Sequence, residues 1–393
     1  MFVVVALLGL ASSPASAQLV DSSLSRIAGG VRFYPGALYS STVGIGIGLG
    51  YEFEGLLGRN SSLLLIAKPS IHRGIYELSY TTQDPRAGKP YVHVAAYYED
   101  TGRTRFYGLG PFSDGDRRVF IDDEFLRLRF TGGIPLERGR WIVQPLVEFV
   151  NVDIDSFRND DAEAFERMFP ESQASLVSAA AFDGSVRWGA AGIELGRYFA
   201  RDPARSGSSI QFTLERWEPI DADGEGFFRT SGAVLFDEAV AGRQIIGRIA
   251  YSAVTGTDDV PYFLLPRLGS RLLPGFAKYR FRGNSMLVAN AAVEQPLFSL
   301  YDYAGIDLVL TAGVGSVYDH FGDQFTPRIS FDDRIEPGGR APLRPAAGAG
   351  FRIYVGERPL EVTVIAGFSA ERTSLVTFRV HRDIRHRQGL LFR

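Results

Sequence analysis

Residues 43–54 read VGIGIGLGYEFE, and this stretch decides the fold class. An apolar side chain stands at every odd position from Val43 to Phe53, whereas every even position from Gly44 to Glu54 is glycine or glutamate. A period of two is the pattern of a β-strand with two different faces. It excludes a nucleotide-binding glycine loop, because that loop needs a turn from a strand into a helix. The bare glycine face either admits a neighbouring segment closely or makes the strand easy to bend.

Similar alternation recurs along the chain in segments of about ten residues, as in transmembrane barrels. Leu126, Leu128 and Phe130, for example, alternate with Arg127 and Arg129. An arginine facing lipid costs roughly 2–4 kcal/mol at the midplane, so we expect these arginines to face the interior. A membrane chain without spanning helices must close its sheet, since lipid cannot satisfy backbone amides. The pattern predicts an all-β fold, a 16-stranded antiparallel transmembrane β-barrel.

The composition is compatible with this fold class. The chain has 393 residues, 45% apolar, a net charge of −3 and no cysteine. Disulfide and thiolate chemistry are therefore excluded, and the charge balance gives no reason to expect nucleic acid as a partner. A soluble β-sandwich or propeller is the alternative, but the sequence has no blade-length repeat. Tyrosine and phenylalanine near the strand ends fit the aromatic girdles of a membrane barrel.

The N-terminal residues predict export. Residues 1–17 read MFVVVALLGLASSPASA, a short apolar run followed by Ala15, Ser16 and Ala17, which is typical of a signal peptide cleaved before Gln18. The apolar run is much shorter than the ~20 residues of a membrane helix. We therefore expect a signal peptide at 1–17, an outer-membrane β-barrel at 18–393, and location in a bacterial outer membrane.

One apolar connection is unusual. Residues 262–297 read YFLLPRLGSRLLPGFAKYRFRGNSMLVANAAVEQPL. The first half is too rich in leucine, proline and glycine for an ordinary surface loop. From Tyr279 onwards the pattern alternates, with polar residues at Arg280, Arg282, Asn290 and Glu294. The sequence predicts an extracellular loop, 255–278, that folds into the barrel as a lid and is followed by a strand.

Three segments carry a resemblance to a known family. Arg105 to Gly110 (RFYGLG) resembles the FYGxG element of the BamA/TamA outer-membrane assembly factors, the bacterial surface antigen family. Gly269 to Leu297 resembles the family's lid loop and twelfth strand, and Val309 to Gly313 stands where the family has F-x-D-x-G on strand thirteen. The resemblance covers nearly all of residues 18–393. It implies a 16-stranded barrel with an inward-folded extracellular lid, and a role in inserting or translocating proteins.

The sequence departs from the family at the lid tip. The resemblance assigns the family a tip arginine that ties to a glutamate on strand twelve and an aspartate on strand thirteen. Pro274, Ala292 and Thr311 occupy those positions here. Losing all the partners together leaves fewer uncompensated charges than losing one of them. We therefore expect that the family's ionic lock does not operate in this chain.

The candidate site combines the lid, its partners in the barrel interior and the junction of the end strands. Its residues are Arg271, Leu272, Leu273, Pro274, Gly275 and Phe276 in the lid loop, Arg280, Arg282, Glu294 and Thr311 as lumen partners, and Phe378 and Val380 at a lateral seam. One hypothesis is that Glu294 pairs with Arg280, Arg282, Arg267 or Arg271 and so holds the lid. The alternative is that these are ordinary solvated charges of a barrel interior.

The functional expectation follows the resemblance. Assembly factors of the family carry periplasmic POTRA repeats before the barrel, whereas here the first strand is predicted soon after residue 17. We expect a barrel without its own POTRA domains that acts with outer-membrane lipids and with unfolded outer-membrane proteins or a separate POTRA-like partner. A passive or substrate-selective pore plugged by loop 255–278, or a structural barrel, are the alternatives.

Enzymatic chemistry has little support in the sequence. The five histidines have no paired ligand spacing, and there is no G-x-S-x-G nucleophile turn. We expect no catalytic residue, no metal site, no cofactor and no enzyme activity.

Overall fold

The computed structural model describes residues 30–40, 44–58, 60–70, 73–82, 89–113, 118–137, 140–155, 184–199, 207–221, 224–257, 260–270, 272–300, 304–332, 339–355, 360–369, 371 and 374–382. Its strands and one short helix are, in chain order, β1 (Gly30–Ser40), β2 (Gly44–Glu54), β3 (Ser62–Pro69), β4 (Arg73–Thr81), β5 (Tyr91–Phe106), β6 (Val119–Leu136), β7 (Trp141–Asp155), β8 (Gly184–Tyr198), β9 (Ser209–Pro219), β10 (Phe227–Val240), β11 (Arg243–Thr255), β12 (Arg267–Leu268), β13 (Phe281–Arg282), β14 (Ser285–Leu300), β15 (Ala304–Tyr318), α1 (Phe321–Gln324), β16 (Phe325–Ile329), β17 (Ala341–Val355), β18 (Leu360–Ser369) and β19 (Ser374–Arg382). Within these ranges, no helix is both long and apolar enough to cross a bilayer.

The long strands form one large antiparallel sheet in which sequence neighbours pair. β11 pairs with β14 and β15 pairs with β17, so the intervening segments leave the sheet order unbroken. β16 runs parallel to the start of β17, and β12 pairs only with β13 among the described strands. At the ends of the chain, β1 pairs with β2 along its whole length and with β19 at Leu38 and Tyr39.

The two faces of the sheet are inverted relative to a soluble protein. In β9, Gln211 and Glu215 are each 3% exposed, whereas Ile210 and Phe212 are each 45% exposed. β6 has the same arrangement, with Arg127 buried and Leu128 exposed. Because buried polar side chains alternate with exposed large apolar ones, the polar face is the interior face. The predicted inward orientation of the arginines of β6 is confirmed.

The glycine face of β2 shows why those positions lack side chains. A Cβ atom on Gly48 would lie 2.5 Å from Cγ of Lys68 and 2.9 Å from the carbonyl oxygen of Ala67. Gly48 is buried, whereas its neighbour Leu49 is 46% exposed. Of the two explanations for the glycines, close approach of a neighbouring strand is therefore the one that applies at Gly48.

The strand after the lid begins later than predicted. Alternation in the sequence suggests one strand from Tyr279, but β14 begins at Ser285, and β13 belongs to the separate pair with β12. The backbone bends at Asn284, and a Cβ atom on the preceding Gly283 would lie 3.0 Å from the carbonyl oxygen of Tyr318. Arg280 and Arg282 therefore precede β14. The prediction that they lie on the same strand as Glu294 is wrong.

Candidate functional site

The segment between β11 and β14 packs against the interior face of the sheet. Leu268, Leu273, Phe276 and Phe281 are each 0% exposed. They form one apolar cluster with wall residues, namely Ala233, Ala250, Met286, Val288, Val317 and Ala346. The preceding stretch, 260–265, joins a second cluster with interior residues of β5 to β11, including Val150, Trp188, Trp217 and Phe227. This segment thus contacts two different parts of the sheet. From here on, the lid means its described residues, 260–270 and 272–282, which overlap the predicted loop 255–278.

The tip of the lid rests on glycines of three neighbouring strands. A Cβ atom on Gly313 of β15 would lie 2.8 Å from Cδ2 of Leu273, and one on Gly348 of β17 would lie 3.2 Å from Cβ of Pro274. On β18, a Cβ atom on Gly367 would overlap the backbone nitrogen of Gly275. The absence of side chains at these positions lets the tip approach the wall at backbone distance. Pro274, at the family's arginine position, therefore makes an apolar contact with the wall.

One polar contact supplements this apolar docking. Asn290 of β14 donates a hydrogen bond from Nδ2 to the backbone carbonyl of Leu272, at 2.6 Å. A buried carbonyl in a loop needs such a partner, because leaving it unpaired costs free energy. Close packing and the hydrogen bond from Asn290 thus hold the lid tip, at the position where the sequence resemblance implies an arginine.

At the base of the lid, Arg280 contacts two other connections of the sheet. Its Nε lies 2.6 Å from Oε1 of Glu371, between β18 and β19. Its Nη1 donates to Oγ of Ser113 at 2.9 Å and its Nη2 to the carbonyl of Ser113 at 2.8 Å. The side chain is 1% exposed, and its guanidinium carbon lies 4.8 Å from the ring centre of Tyr107. Arg280 therefore joins the lid to two further parts of the chain.

Arg282 occupies an aromatic enclosure beside Arg280. Its guanidinium carbon lies 4.7 Å from the ring centre of Tyr262, 5.6 Å from that of Phe106 and 5.7 Å from that of Tyr279. Burial lowers the pKa of Arg282 and raises the pKa of the Tyr262 phenol. The backbone carbonyl of Arg282 accepts a hydrogen bond from the amide of Gly110 at 2.7 Å. The RFYGLG segment, which begins at the end of β5, thus contacts the base of the lid.

Glu294 has a different partner from the one hypothesised. It forms an ion pair with Arg352 of β17, which also donates from Nε to Oδ2 of Asp307 at 2.9 Å. Arg280 pairs with Glu371 instead. Of the four arginines in the hypothesis, Arg280 is thus not the partner of Glu294, and Arg271 lies outside the described residues. The observed partner, Arg352, belongs to β17, which neighbours β15 in the sheet. This ion pair joins strands of the wall to one another.

A second group of charges lies across the interior faces of β6 to β10. Glu148 is 1% exposed and lies 2.9 Å from Nε of Arg127 and 3.3 Å from Nη1 of Arg129. Arg129 also reaches Glu194 at 3.7 Å. Further along, Arg229 pairs with Glu215. Glu148, Glu194 and Glu215 thus each face a guanidinium, which compensates the charge of these three buried carboxylates.

Four predicted site residues remain to be placed: Arg271, Thr311, Phe378 and Val380. Arg271 lies outside the described residues. Thr311 lies in register between Ala292 and Gly348, next to the docking glycines. At the seam, Phe378 pairs in register with Tyr39 of β1, whereas Val380 pairs with Val362 of β18.

Several residues at the site were not anticipated, namely Ser113, Asn290 as a partner of the lid, Gly348, Gly367 and Glu371. The alternation in the sequence could have identified Gly348 and Gly367, because each stands at a strand position where a side chain would face the interior. Ser113 and Glu371 lie in connections, where periodicity gives no orientation. Among the described residues, no cluster of histidine, aspartate and glutamate has the arrangement of a metal site.

No family model and no curated protein matches the sequence. Among solved structures, the crystal structure of BamA from Haemophilus ducreyi lacking POTRA domains 1–3 matches with a TM-score of 0.57 at 13% sequence identity. The match covers 89% of this chain and 69% of that one.

The chain has the barrel fold of BamA. CdiB from Escherichia coli has the same fold, with a TM-score of 0.59 and 12% identity over 89% of this chain and 62% of CdiB. The BamA/TamA-type barrel that the sequence predicts is thus confirmed as a fold. This chain spans less than two thirds of the length of CdiB, and at these identities the likeness concerns the fold alone.

Proposed function

We propose that this chain is an outer-membrane barrel that inserts or translocates proteins through a lateral opening between its first and last strands. The proposal includes a closed barrel of sixteen strands with the lid inside. Support comes from the pairings: without β12, β13 and β16, sixteen strands remain, and β1 pairs with β19. The exposed apolar face supports a membrane location, because exposing so much apolar surface to water is unfavourable, whereas lipid solvates it well. A signal peptide at residues 1–17 and a barrel at 18–393 are part of the proposal.

The observation that carries the proposal is the short seam. Within the described residues, β1 pairs with β2 from Gly30 to Ser40, but its register with β19 consists of two pairs, Leu38 with Arg379 and Tyr39 with Phe378. A short ladder is weaker than a long one, and an opened ladder exposes strand edges to which another chain can add. Unfolded outer-membrane strands are the substrate that fits such edges. A separate periplasmic partner with POTRA-like repeats remains part of the proposal.

The test is to lock the seam. The chain has no cysteine, so Leu38→Cys with Arg379→Cys introduces the sole thiols, on paired residues whose Cα atoms are about 4.5–5.5 Å apart in an antiparallel ladder. In proteoliposomes, oxidation is expected to slow insertion of an unfolded outer-membrane protein by about tenfold, because a covalent closure blocks strand addition. Reductant should restore the rate.

The matched control is Ala37→Cys with Ile47→Cys, which joins β1 to β2 inside a complete ladder. Its oxidation is expected to leave insertion unchanged. Insertion at full speed by the oxidised seam variant would contradict the proposal.

A plugged pore is the second candidate, and the observation that favours it is the burial of the lid. Residues of both lid halves, including Tyr262 and Phe276, are almost fully buried against the wall. If the lid is a plug, deleting Leu272 to Phe276 raises the conductance of planar bilayers while neither form inserts substrate. If the barrel is purely structural, neither conductance nor insertion is observed.

A further inference from the structure

The lid reaches β18 and the connection between β18 and β19 by two separate contacts. At the tip, a Cβ atom on Gly275 would lie 2.5 Å from the backbone carbon of Phe368, near the end of β18. At the base, Arg280 pairs with Glu371, which follows β18 and precedes β19. The tip and the base of the lid therefore contact residues only a few positions apart, Phe368 and Glu371, in the hairpin formed by β18 and β19.

The contact at the base is specific. Arg280 is 1% exposed, and the carboxylate of Glu371 is the acidic group that its Nε and Nη2 reach. Nη1 and Nη2 each donate one further hydrogen bond to Ser113, whose loop adjoins β5. Removing one member of a buried ion pair leaves the other charge uncompensated, which is strongly unfavourable. The position of Glu371 is therefore set by the position of the lid.

The hairpin that Glu371 belongs to carries the seam. β19 pairs with β18 from Arg382 to Ser374 and meets β1 at Phe378 and Arg379. Among the described residues the ladder to β1 consists of two residue pairs, and such a short ladder is sensitive to the placement of β18 and β19. A contact that fixes Glu371, between β18 and β19, can therefore affect the pairing of Phe378 and Arg379 with β1.

We propose that Arg280 and Glu371 are positioning residues through which a seated lid keeps the seam closed. Release of the lid breaks this ion pair and the Gly275 contact together, and the β18–β19 hairpin is then free to part from β1. This regulation rests on the proposed function, because it concerns the same opening. Two sites coupled in this way must influence each other by the same factor.

The first experiment measures seam closure without any substrate. In the Leu38→Cys, Arg379→Cys background, Glu371→Gln removes the charge and keeps the side-chain shape. The rate of disulfide formation at the seam under a fixed oxidant is expected to fall by about tenfold, a typical allosteric coupling. Arg280→Lys keeps the charge and is expected to restore most of the parental rate relative to Arg280→Gln.

The control is Glu294→Gln in the same background. It removes a carboxylate from another interior ion pair, that with Arg352, which keeps Asp307 as a partner. The seam disulfide is expected to form at the parental rate in this variant. Equal rates for Glu371→Gln and the parent, or an equal fall for Glu294→Gln, would overturn the inference. Gel mobility of unheated samples verifies that each variant is folded.

The second experiment measures the coupling in the opposite direction. A third cysteine at Leu273, which is 0% exposed, reports release of the lid through its reaction with a membrane-impermeant maleimide. Oxidising the seam pair should slow this reaction by the same factor, whereas oxidising Ala37→Cys with Ile47→Cys should not. If oxidation of the seam pair leaves the labelling rate at position 273 unchanged, the coupling is contradicted. Neither readout requires insertion, so failure of the coupling and failure of the insertion function are distinguishable.

Discussion

Gly275→Val is expected to release the tip of the lid from the barrel wall. Gly275 has φ of +93°, a conformation that costs a β-branched residue about 1–3 kcal/mol. Its Cβ atom would also lie 2.5–2.8 Å from three backbone atoms of Phe368, which cannot move aside as a flexible side chain could. Such overpacking costs about 1–3 kcal/mol more. The docked state should therefore lose about 2–6 kcal/mol, or roughly 30- to 10⁴-fold in population.

The measurement is the labelling rate of Leu273→Cys by a membrane-impermeant maleimide, with and without the valine. Leu273 is 0% exposed, so labelling reports the released state. The rate should rise in proportion to the population of that state. Gly322→Val is the control, because a Cβ atom on Gly322 meets no atom within 4 Å. Docking of the tip at Gly275 is contradicted if Gly275→Val labels as slowly as Gly322→Val.

Glu148→Ala is expected to destabilise the barrel by roughly 3–5 kcal/mol, the cost of breaking a buried ion pair from one side. Glu148 is 1% exposed and serves both Arg127 and Arg129. Its removal leaves two buried guanidinium groups on the interior face, with only Arg129 keeping a nearby carboxylate, Glu194 at 3.7 Å. Unfolding by guanidinium chloride in detergent micelles measures the change as a shift of the midpoint.

An exposed pair of the same type provides the comparison. Arg216 and Glu218 lie 2.7 Å apart, with side chains 40% and 56% exposed. Glu218→Ala is expected to cost at most about 1 kcal/mol, because the pair lies at the end of β9 (Ser209–Pro219), where the remaining charge can reach water. Equal midpoint shifts for Glu148→Ala and Glu218→Ala would show that burial does not govern these pairs.

The comparison of Arg127 with Arg280 shows which features were predictable. Arg127 stands between Leu126 and Leu128 in a long alternating segment, so its inward orientation was available from the sequence. Arg280 stands in a segment that also alternates, yet the backbone bends at Asn284 and β14 begins only at Ser285, so Arg280 lies outside that strand. Periodicity identifies a face only while the strand continues, and no residue pattern marks where this strand begins.

The sequence by itself determined the alternation of faces, and hence a β-barrel with a polar interior, because side-chain direction in a strand depends on neighbouring residues alone. It also determined that the lid could not use the family's arginine, since Pro274 has no charge. Only the tertiary structure decided what replaces it. Gly313, Gly348 and Gly367 lie far apart in the chain and become neighbours through strand pairing, and Glu371 reaches Arg280 in the same way. Register and chain bends set these contacts, and both depend on the packing of the whole sheet.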